Sequence, residues 1–459
     1  MKLTKKFKKG MAIVLSTVLT AGLIQIIPQT MTDVKAADSS ILPTVTAYAT
    51  KDALMDDTFA PGSSKKGKLT FGKNSAGNTQ EWYVFGKCSV TGTSDDNTVI
   101  FATKPITKSR FADASYSGTS YYDYSGGEEY RIDQKYIKNY VYCNYYSTST
   151  VRKELKLIEK NTNYFSTAEQ ALMNEPEVST YDNGSGCDFW QKDKLYLASG
   201  WYGTDSSGNT TYQDVVCVSP AHARMQVKIS DYIESNELFW LRTPCNMWFG
   251  DETWSQALAV TAGNKSGAII ATAVNAGVYG VQPAAVLNLT DVLFASAAKT
   301  DKTTGIIDAG SAMTLRLDGS SREIGEATYD TDTGVISAAK SSAATGDVSL
   351  VVQGNDGIHD WYYSQKLTGS APVTVKSSDI ETAVSGLASD VDLSKCKIWL
   401  ETTDADNNMI YAKNASEIKT LNEVEIKFSV PKAGEPITNE VLSHTEGTRA
   451  SIKWMWNKD

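Results

Sequence analysis

Residues 239–244 read Phe-Trp-Leu-Arg-Thr-Pro, and this stretch is the best guide to the fold of the chain. Trp240 and Arg242 are separated by one residue, so both side chains lie on one face if the stretch is a β-strand. Residues of this kind in a core usually serve packing. We therefore predict that Trp240 and Arg242 form a buried structural pair in which a carboxylate accompanies Arg242. The alternative is that the pair belongs to a functional site.

Helix and strand signals extend on both sides of this stretch. In residues 150–161 apolar side chains recur at helical spacing, and Ser149 or Thr150 is a candidate N-cap. Ser166 and Glu169 have the spacing of a capping box and predict a second, short helix. Apolar or alternating runs predict strands at residues 81–85, 97–104, 193–199, 238–242, 257–262, 268–274 and 281–289.

From about residue 301 the pattern changes to short alternating strands separated by turn residues. This pattern is typical of a β-sandwich. Residues 377–384 favour one short helix within it. The predicted strands are residues 313–317, 348–353, 361–365, 373–375, 396–402 and 424–430.

Four segments between residues 145 and 284 occur in an order that resembles a known domain family. They are residues 145–169 with Tyr-Tyr-Ser-Thr-Ser-Thr-Val-Arg at their start, residues 193–199 (Asp-Lys-Leu-Tyr-Leu-Ala-Ser), residues 239–244, and residues 279–284 (Tyr-Gly-Val-Gln-Pro-Ala). The resemblance is to an uncharacterised domain family of Gram-positive surface and secreted proteins. That family carries a Trp-Leu-Arg-Ser-Pro box and a closing Gly-Val-Arg-Pro-Ala box.

The resemblance covers roughly residues 80–290 and implies a C-type-lectin-like fold, related to formylglycine-generating-enzyme-like domains. Separately from the resemblance, we expect a structural role for the residues that match the last two boxes. Thr243 stands where the family has Ser, which is a mild change. Gln282 stands where the family has Arg, and Gln supplies neither the fixed charge nor the five donors of a guanidinium. The residues assigned to this structural motif are Trp240, Arg242, Gly280, Gln282 and Pro283.

The N-terminus has the three parts of a secretory signal peptide. Residues 1–10 carry five Lys and no acid, residues 11–27 are mostly apolar, and small residues surround Ala36 and Ala37. An uncleaved anchor is the alternative, but the run is short beside the ~20 apolar residues that span a membrane. We therefore expect a secreted, extracellular protein, with association at the cell surface left open.

These observations predict an α+β chain in five parts, with a C-type-lectin-like domain followed by an all-β immunoglobulin-like sandwich. About 30 residues at the end cannot bury a core alone. The parts are a signal peptide (1–36), a Ser/Thr/Lys-rich leader (37–80), the C-type-lectin-like domain (81–298), the β-sandwich (299–430) and the partial start of a further module (431–459).

Charge and composition limit the partners and the cofactors. The net charge is −9, and removal of residues 1–36 leaves 38 basic and 52 acidic residues, a net charge of −14. Such a surface repels phosphate backbones, so nucleic acid is not an expected partner. We expect no membrane span after signal cleavage. None of the six Cys forms a Cys-x-x-Cys pair, and the three His are far apart, so no metal or other cofactor is expected.

The segment between the last two boxes contains the first group of candidate binding residues. A lectin-like fold would present its binding loops in residues 245–278. Exposed Trp rings offer an apolar platform to sugars, and carboxylates can accept hydrogen bonds from hydroxyls. The alternative is that the Trp side chains pack in the core. The candidates are Trp248, Asp251, Glu252 and Trp254.

Ten Tyr residues between positions 116 and 146 form the second group, represented by Tyr121 and Tyr124. A Tyr-rich loop in a Gly- and Ser-rich setting makes an adaptable contact surface. The alternative is that several of these rings pack on a sheet.

The sequence contains no evident catalytic constellation, and it therefore favours a non-catalytic binding protein whose ligand is an extracellular glycan or protein. One alternative is an extracellular enzyme acting on polysaccharide or cell-wall polymer, with Asp251 and Glu252 as general acid and base. Another alternative is a structural stalk protein.

Overall fold

The computed structural model describes thirteen stretches of the chain: residues 47–56, 67–112, 131–132, 146–182, 187–204, 210–215, 226–227, 237–249, 252–261, 268–273, 278–299, 303–403 and 409–418. These residues are predominantly β-strand, with four short α-helices and three single-turn 3-10 helices. The helices α1 to α4 are Lys51–Met55, Thr150–Ile158, Thr167–Leu172 and Ser377–Ala383.

The strands β1 to β9 are Tyr48–Thr50, Lys68–Lys73, Thr79–Gly86, Asn97–Ala102, Thr107–Ser109, Arg131–Ile132, Glu177–Asp182, Cys187–Lys192 and Leu195–Leu197. The strands β10 to β18 are Ser199–Thr204, Thr210–Val215, Gln226–Val227, Phe239–Phe249, Glu252–Thr261, Ala268–Ala273, Tyr279–Val281, Pro283–Asn288 and Val292–Ser296. The strands β19 to β28 are Gly305–Ile307, Thr314–Asp318, Gly325–Asp330, Val335–Lys340, Val348–Asn355, Asp360–Leu367, Val373–Val375, Lys397–Thr403, Ile410–Asn414 and Ser416–Ile418.

The centre of the N-terminal region is a five-stranded sheet in the order β2-β3-β4-β17-β9. Strand β4 is buried along its whole length, and β17 is buried except for Asn288. Strands covered on both faces carry apolar runs rather than alternating patterns. Helix α2 covers this sheet with Val151, Leu155 and Ile158, which lie in the same core. The apolar spacing seen in the sequence is therefore the buried face of α2.

A second five-stranded sheet has the order β15-β14-β13-β16-β5. Its strand β13 contains residues 239–244. Strand β13 pairs antiparallel with β14 and parallel with β16, at Phe239 and Gly280. Two three-stranded sheets, β6-β8-β7 and β10-β11-β12, complete the N-terminal region as far as it is described.

The C-terminal region consists of an eight-stranded sheet and a four-stranded sheet that share one core. The orders are β1-β18-β20-β27-β26-β23-β24-β19 and β25-β22-β21-β28. Side chains from both sheets, including Ile336, Leu350 and Trp361, pack together in this core with Ile380 of α4. The sandwich-like arrangement of alternating strands agrees with the strand-rich sequence pattern.

Strand pairing corrects two predicted boundaries. Residues 47–56 and 67–80, assigned to a leader, belong to the folded body, because β1 pairs with β18 and β2 pairs with β3. Residues 292–298, assigned to the first domain, include β18, which pairs with β20 of the eight-stranded sheet. The Ser/Thr/Lys-rich composition concealed short apolar anchors such as Leu54 and Phe71, which are buried.

Several local predictions are confirmed. Ser149 caps α2, with its side chain accepting a hydrogen bond from the N–H of Arg152. Ser166 and Glu169 form both hydrogen bonds of the capping box at the start of α3. The short helix predicted in the sandwich is α4. The predicted strand at residues 424–430 and the partial module at 431–459 lie outside the described residues.

Candidate functional site

The hairpin of β13 and β14 brings the first group of candidate residues together. Its register places Trp248 opposite Thr253, Met247 opposite Trp254, and Phe249 opposite Glu252. Trp254 and Glu252 are two positions apart on β14 and therefore share one face of the hairpin, whereas Trp248 lies on the rung between them and belongs to the opposite face. Asp251, in the connection between the two strands, lies outside the described residues.

The expectation that residues 245–278 form binding loops needs correction. Most of the described positions in this range are strand: β13 continues to Phe249, β14 follows, and β15 pairs with β14. The aromatic and β-branched residues near the turn favour strands. Gly250 and Asp251 are residue types that suit a two-residue hairpin connection. The candidate surface is thus the end of a hairpin.

The second group of candidates is only partly placed. Tyr121 and Tyr124 lie outside the described residues. Tyr146, from the same Tyr-rich segment, has no exposed surface. Burial raises the pKa of its phenol well above the usual value, and the nearby Asp193 carboxylate acts in the same direction. Tyr146 therefore belongs to the core. This agrees with the alternative that some Tyr rings of this segment serve packing.

Trp240 is fully buried at the base of the hairpin. Its indole Nε1 donates a hydrogen bond to the Ser109 carbonyl at 2.9 Å. The ring lies 5.4 Å from the Phe111 ring and 4.7 Å from the Tyr279 ring, measured between centroids. Trp240 thus joins β13 to its neighbour β16 and to β5, which follows β16 in the sheet order.

Arg242 is 1% exposed and also faces the protein interior. Its Nη1 donates to the Leu197 carbonyl at 2.7 Å, and its guanidinium lies 5.9 Å from the centre of the Tyr196 ring. The Arg242 backbone N–H donates to the Ala198 carbonyl at 2.8 Å. Arg242 therefore links the hairpin to the end of β9, which belongs to the central sheet.

A buried ion pair lies close to this junction. Arg152 of α2 binds Asp193 through Nε, at 3.0 Å from each carboxylate oxygen, and through Nη2 at 2.9 Å. Its Nη1 donates to the Ser147 carbonyl at 3.1 Å. Asp193 directly precedes the residues that lead into β9, and it is completely buried. A buried carboxylate requires such a charge-assisted, bidentate partner.

Lys156 and Glu159 extend the pair toward solvent. The Lys156 Nζ lies 3.2 Å from Asp193 and 3.5 Å from Glu159, and it also contacts Glu175. Burial acts to lower the pKa of Lys156, but the three carboxylates outweigh burial and raise it. Burial raises the pKa of Glu159; Lys156 opposes this shift and Asp193 adds to it. The network binds α2 to the turn before β9.

The closing box is buried as well. Gly280 donates its N–H to the Leu238 carbonyl at 2.7 Å, and a Cβ at this position would overlap the ring of Pro105. Gln282 has no exposed surface, and its Nε2 donates to the Ala102 carbonyl at 2.7 Å. Pro283 opens β17 opposite Leu197 of β9. A neutral amide thus occupies the position where the resembled family has Arg.

The network of Arg152, Lys156, Glu159 and Asp193 was not singled out from the sequence. Arg152 lies in the segment 145–169 and Asp193 in the segment 193–199. The resemblance therefore included both residues, but it did not indicate that they form an ion pair. A signal was available: Arg152 follows Val151 on the apolar side of a predicted helix, and Asp193 precedes the apolar run of residues 195–198. A charge of each sign beside buried positions indicates an ion pair.

Other features define what the described residues can hold. Among them no group of three or more His, Cys, Asp or Glu side chains is arranged to bind a metal ion. A surface depression of about 500 Å³ lies at the end of α4, lined by residues 381, 382 and 384–390, away in sequence from the candidate hairpin. Within the thirteen described stretches, no helix has the length and apolar character to cross a membrane.

Comparison with known proteins returns no match: none of the protein-family models, curated protein sequences or solved structures that were compared matches this chain.

Proposed function

We propose that this chain is a secreted or cell-surface, non-catalytic binding protein that recognises an extracellular glycan or protein. The observation that carries the proposal is the register of the β13–β14 hairpin. It places Trp254 and Glu252 on one face at the end of the ladder and Trp248 on the opposite face. Trp254 and Glu252 are two positions apart on one strand and share a face, so they are close enough to act on one ligand.

The chemistry of these residue types suits a ligand that carries both apolar faces and hydroxyl groups. Indole rings offer large apolar surfaces with one donor each, and a carboxylate accepts hydrogen bonds from hydroxyls. Asp251, Tyr121 and Tyr124 are further candidates for ligand contact on the basis of sequence, because carboxylates accept hydrogen bonds and Tyr-rich segments adapt to varied ligands. The charge of −14 predicted after signal cleavage favours neutral or basic ligands over polyanions.

The finer assignment of the fold belongs to this proposal. A C-type-lectin-like domain followed by an immunoglobulin-like sandwich is supported by the order of the four boxes and by the strand-rich architecture. Export is supported by the basic, apolar and small-residue sections of residues 1–36. In this assignment the N-terminal region recognises the ligand, and the sandwich acts as a spacer or second contact module.

The test is binding of the chain from residue 37 to residue 459 to arrays of glycans, matrix proteins and cell-wall polymers. Trp254→Ala and Glu252→Gln are each expected to weaken binding about tenfold or more, whereas Trp248→Ala, on the opposite face, is expected to weaken it less. Ile358→Ala is the control, because Ile358 is 74% exposed on the C-terminal region and remote in sequence. Circular dichroism verifies that each variant is folded.

Other outcomes decide against the proposal. Binding that is equal in the three variants and the wild type removes the hairpin from the site. Absence of binding to every array member, with no turnover of polysaccharide, favours the structural stalk. Turnover that Glu252→Gln abolishes favours the extracellular enzyme, with Asp251 and Glu252 as its acid and base.

A further inference from the structure

Most edge strands of the sheets in this molecule are very short. An edge strand has backbone N–H and C=O groups on its outer side that a further strand can bind. Within the described residues there are six sheets and therefore twelve edge strands. Edge strands of two or three residues offer few hydrogen bonds to a further strand, so their length protects them. Eight edge strands are of this kind: β1, β5, β6, β9, β12, β19, β25 and β28.

The other four edge strands, β2, β7, β10 and β15, have six residues each, and three of them carry features that oppose pairing. Strand β2 has a Lys at each end and an irregular register with β3. Strand β7 begins with Glu177 and ends with Asp182, and β10 contains Gly200 and Gly203. Charges, bulges and Gly all weaken the pairing of an edge strand.

Strand β15 lacks all of these features. Its sequence, Ala-Ile-Ile-Ala-Thr-Ala, contains no charged residue, no Gly and no Pro. It pairs with β14 at six consecutive positions without a register shift. No strand in the described part of the chain pairs with its other side. A long, regular and uncharged edge of this kind is a template for the addition of a strand.

We propose that β15 pairs with β15 of a second copy of this chain, so that the two five-stranded sheets become one continuous sheet. The pairing is antiparallel about a two-fold axis, uses the same edge of both copies and closes at the dimer. Because β15 carries no charge, a second copy brings no like charges opposite each other. The same pairing of β7 would bring Glu177 close to Asp182 of the copy, which is unfavourable.

The backbone of β15 limits the register of this pairing. Successive residues of a strand direct their N–H and C=O groups to alternate sides, so only every second residue can bond to the second copy. Antiparallel self-pairing brings such residues opposite each other. The two registers that pair the most residues therefore place either Ile270 or Ala271 opposite its own copy. Residues 268–272 form the ladder in the first register and residues 269–273 in the second.

This pairing leaves the end of the candidate hairpin free. Strand β15 pairs with residues 256–261 of β14, and Trp254 and Glu252 lie beyond these rungs. Because the two copies of β14 run antiparallel in the joined sheet, their hairpin ends lie at opposite ends of it. Self-association and ligand binding can therefore be tested by separate substitutions.

Sedimentation equilibrium of residues 37–459 at two salt concentrations tests the proposal. A monomer–dimer equilibrium is expected. Dimerisation should strengthen as salt rises, because each copy carries a predicted charge of −14 and salt screens the repulsion. Ile270→Lys places two ammonium groups opposite or diagonal to each other and should weaken the dimer about tenfold or more. Ile358→Lys is the matched control, because Ile358 is 74% exposed in the C-terminal region.

Cysteine cross-linking tests the register. Residues opposite each other in an antiparallel ladder have Cα atoms about 4.5–5.5 Å apart, which a disulfide can span. Either Ile270→Cys or Ala271→Cys is therefore expected to form a disulfide with its own copy on mild oxidation, in excess of the wild type. Lys108→Cys, on β5 at the opposite edge of the same sheet, is the control and should stay at the wild-type level.

Three results would overturn the proposal. A wild type that stays monomeric at every protein and salt concentration shows that the edge accepts no second copy. A dimer that Ile270→Lys leaves unchanged, with no cross-link at residue 270 or 271, has its interface elsewhere. Assemblies that grow beyond the dimer contradict a closed two-fold pairing. If Ile270→Lys does not fold, Thr272→Lys decides in its place, because the Thr272 side chain is partly exposed.

Discussion

Asp193 has no exposed surface, and both of its carboxylate oxygens are bound by Arg152. Such a pair adds little net stability compared with apolar residues of similar size, because both charges had to be removed from water. Its value lies in geometry: Arg152 comes from α2 and Asp193 from the turn before β9, so the pair fixes one relative position of helix and sheet.

Asp193→Asn is expected to destabilise the chain by about 3–5 kcal/mol, because it leaves Arg152 buried without its full counter-charge. The measurement is the free energy of unfolding in urea. Lys366→Met is the control: Lys366 and Asp347 form a pair whose side chains are 44% and 52% exposed, for which about 0–1 kcal/mol is expected. Equal effects of the two substitutions would contradict the assigned role of the buried pair.

Glu159 gives a pH prediction. Its pKa is raised in the folded state, chiefly by burial, so the folded chain holds this proton more tightly than the unfolded chain. The stability that this group contributes is therefore present below the ordinary carboxyl pKa and is lost as the pH rises through the folded value. The Gln side chain of Glu159→Gln does not titrate, so it is neutral at every pH between these two pKa values.

The stability of Glu159→Gln relative to the wild type should therefore increase between about pH 4 and about pH 7. Urea midpoints of both proteins across that range provide the measurement. A difference that stays constant, or that shrinks toward neutral pH, would mean that the folded structure does not raise this pKa.

At the scale of elements, β13 and β16 approach each other closely at Gly280. Gly280 pairs with Phe239 across this junction, and a Cβ there would overlap the Pro105 ring and crowd the Leu238 carbonyl at 3.2 Å. The glycine of the closing box is thus explained by the close approach of its backbone to the Pro105 side chain.

Gly280→Ala is expected to cost about 1–3 kcal/mol through overpacking, with a lower thermal midpoint as the measured quantity. Gly305→Ala is the matched control, because Gly305 also lies in a strand and nothing lies within 4 Å of a Cβ placed there. A change of equal size in both variants would indicate a general property of glycine in strands instead of the Pro105 contact.

At the scale of the whole molecule, the two regions share a core across the predicted boundary at residue 298. Met313, Leu315, Leu317 and Met409 pack with the buried side chains of the N-terminal region. Strand β18 is also flanked by β20, which lies beyond that boundary. The N-terminal region therefore depends on residues that a division at residue 298 removes.

A fragment of residues 37–298 should accordingly be less stable than residues 37–459 and should expose apolar surface. Thermal unfolding followed by circular dichroism, with binding of a hydrophobic dye at low temperature, tests this expectation. A fragment that unfolds cooperatively at the midpoint of the longer chain, without binding the dye, would establish residues 37–298 as an independent domain.

Local features were determined by the sequence itself. The caps of α2 and α3, the apolar face of α2, the strands of the sandwich and the short helix α4 follow from residue spacing and from turn residues near each element. These features depend on contacts within a few positions, where side-chain geometry and backbone hydrogen bonding leave few choices. The burial expected for Trp240 and Arg242 also follows from their spacing, because residues two positions apart on a strand share one face.

Long-range pairing was decided only by the tertiary structure. Leu54 and Leu69 lie in a polar-looking segment, and nothing near them indicates that their partners are at Thr98 and Met313. The sequence also did not reveal the ion pair of Arg152 with Asp193 or the register of the candidate hairpin. Both depend on which elements become neighbours in the folded chain. The spacing of residues within one element determines the direction of a side chain. The packing of the assembled sheets determines which residues that side chain contacts.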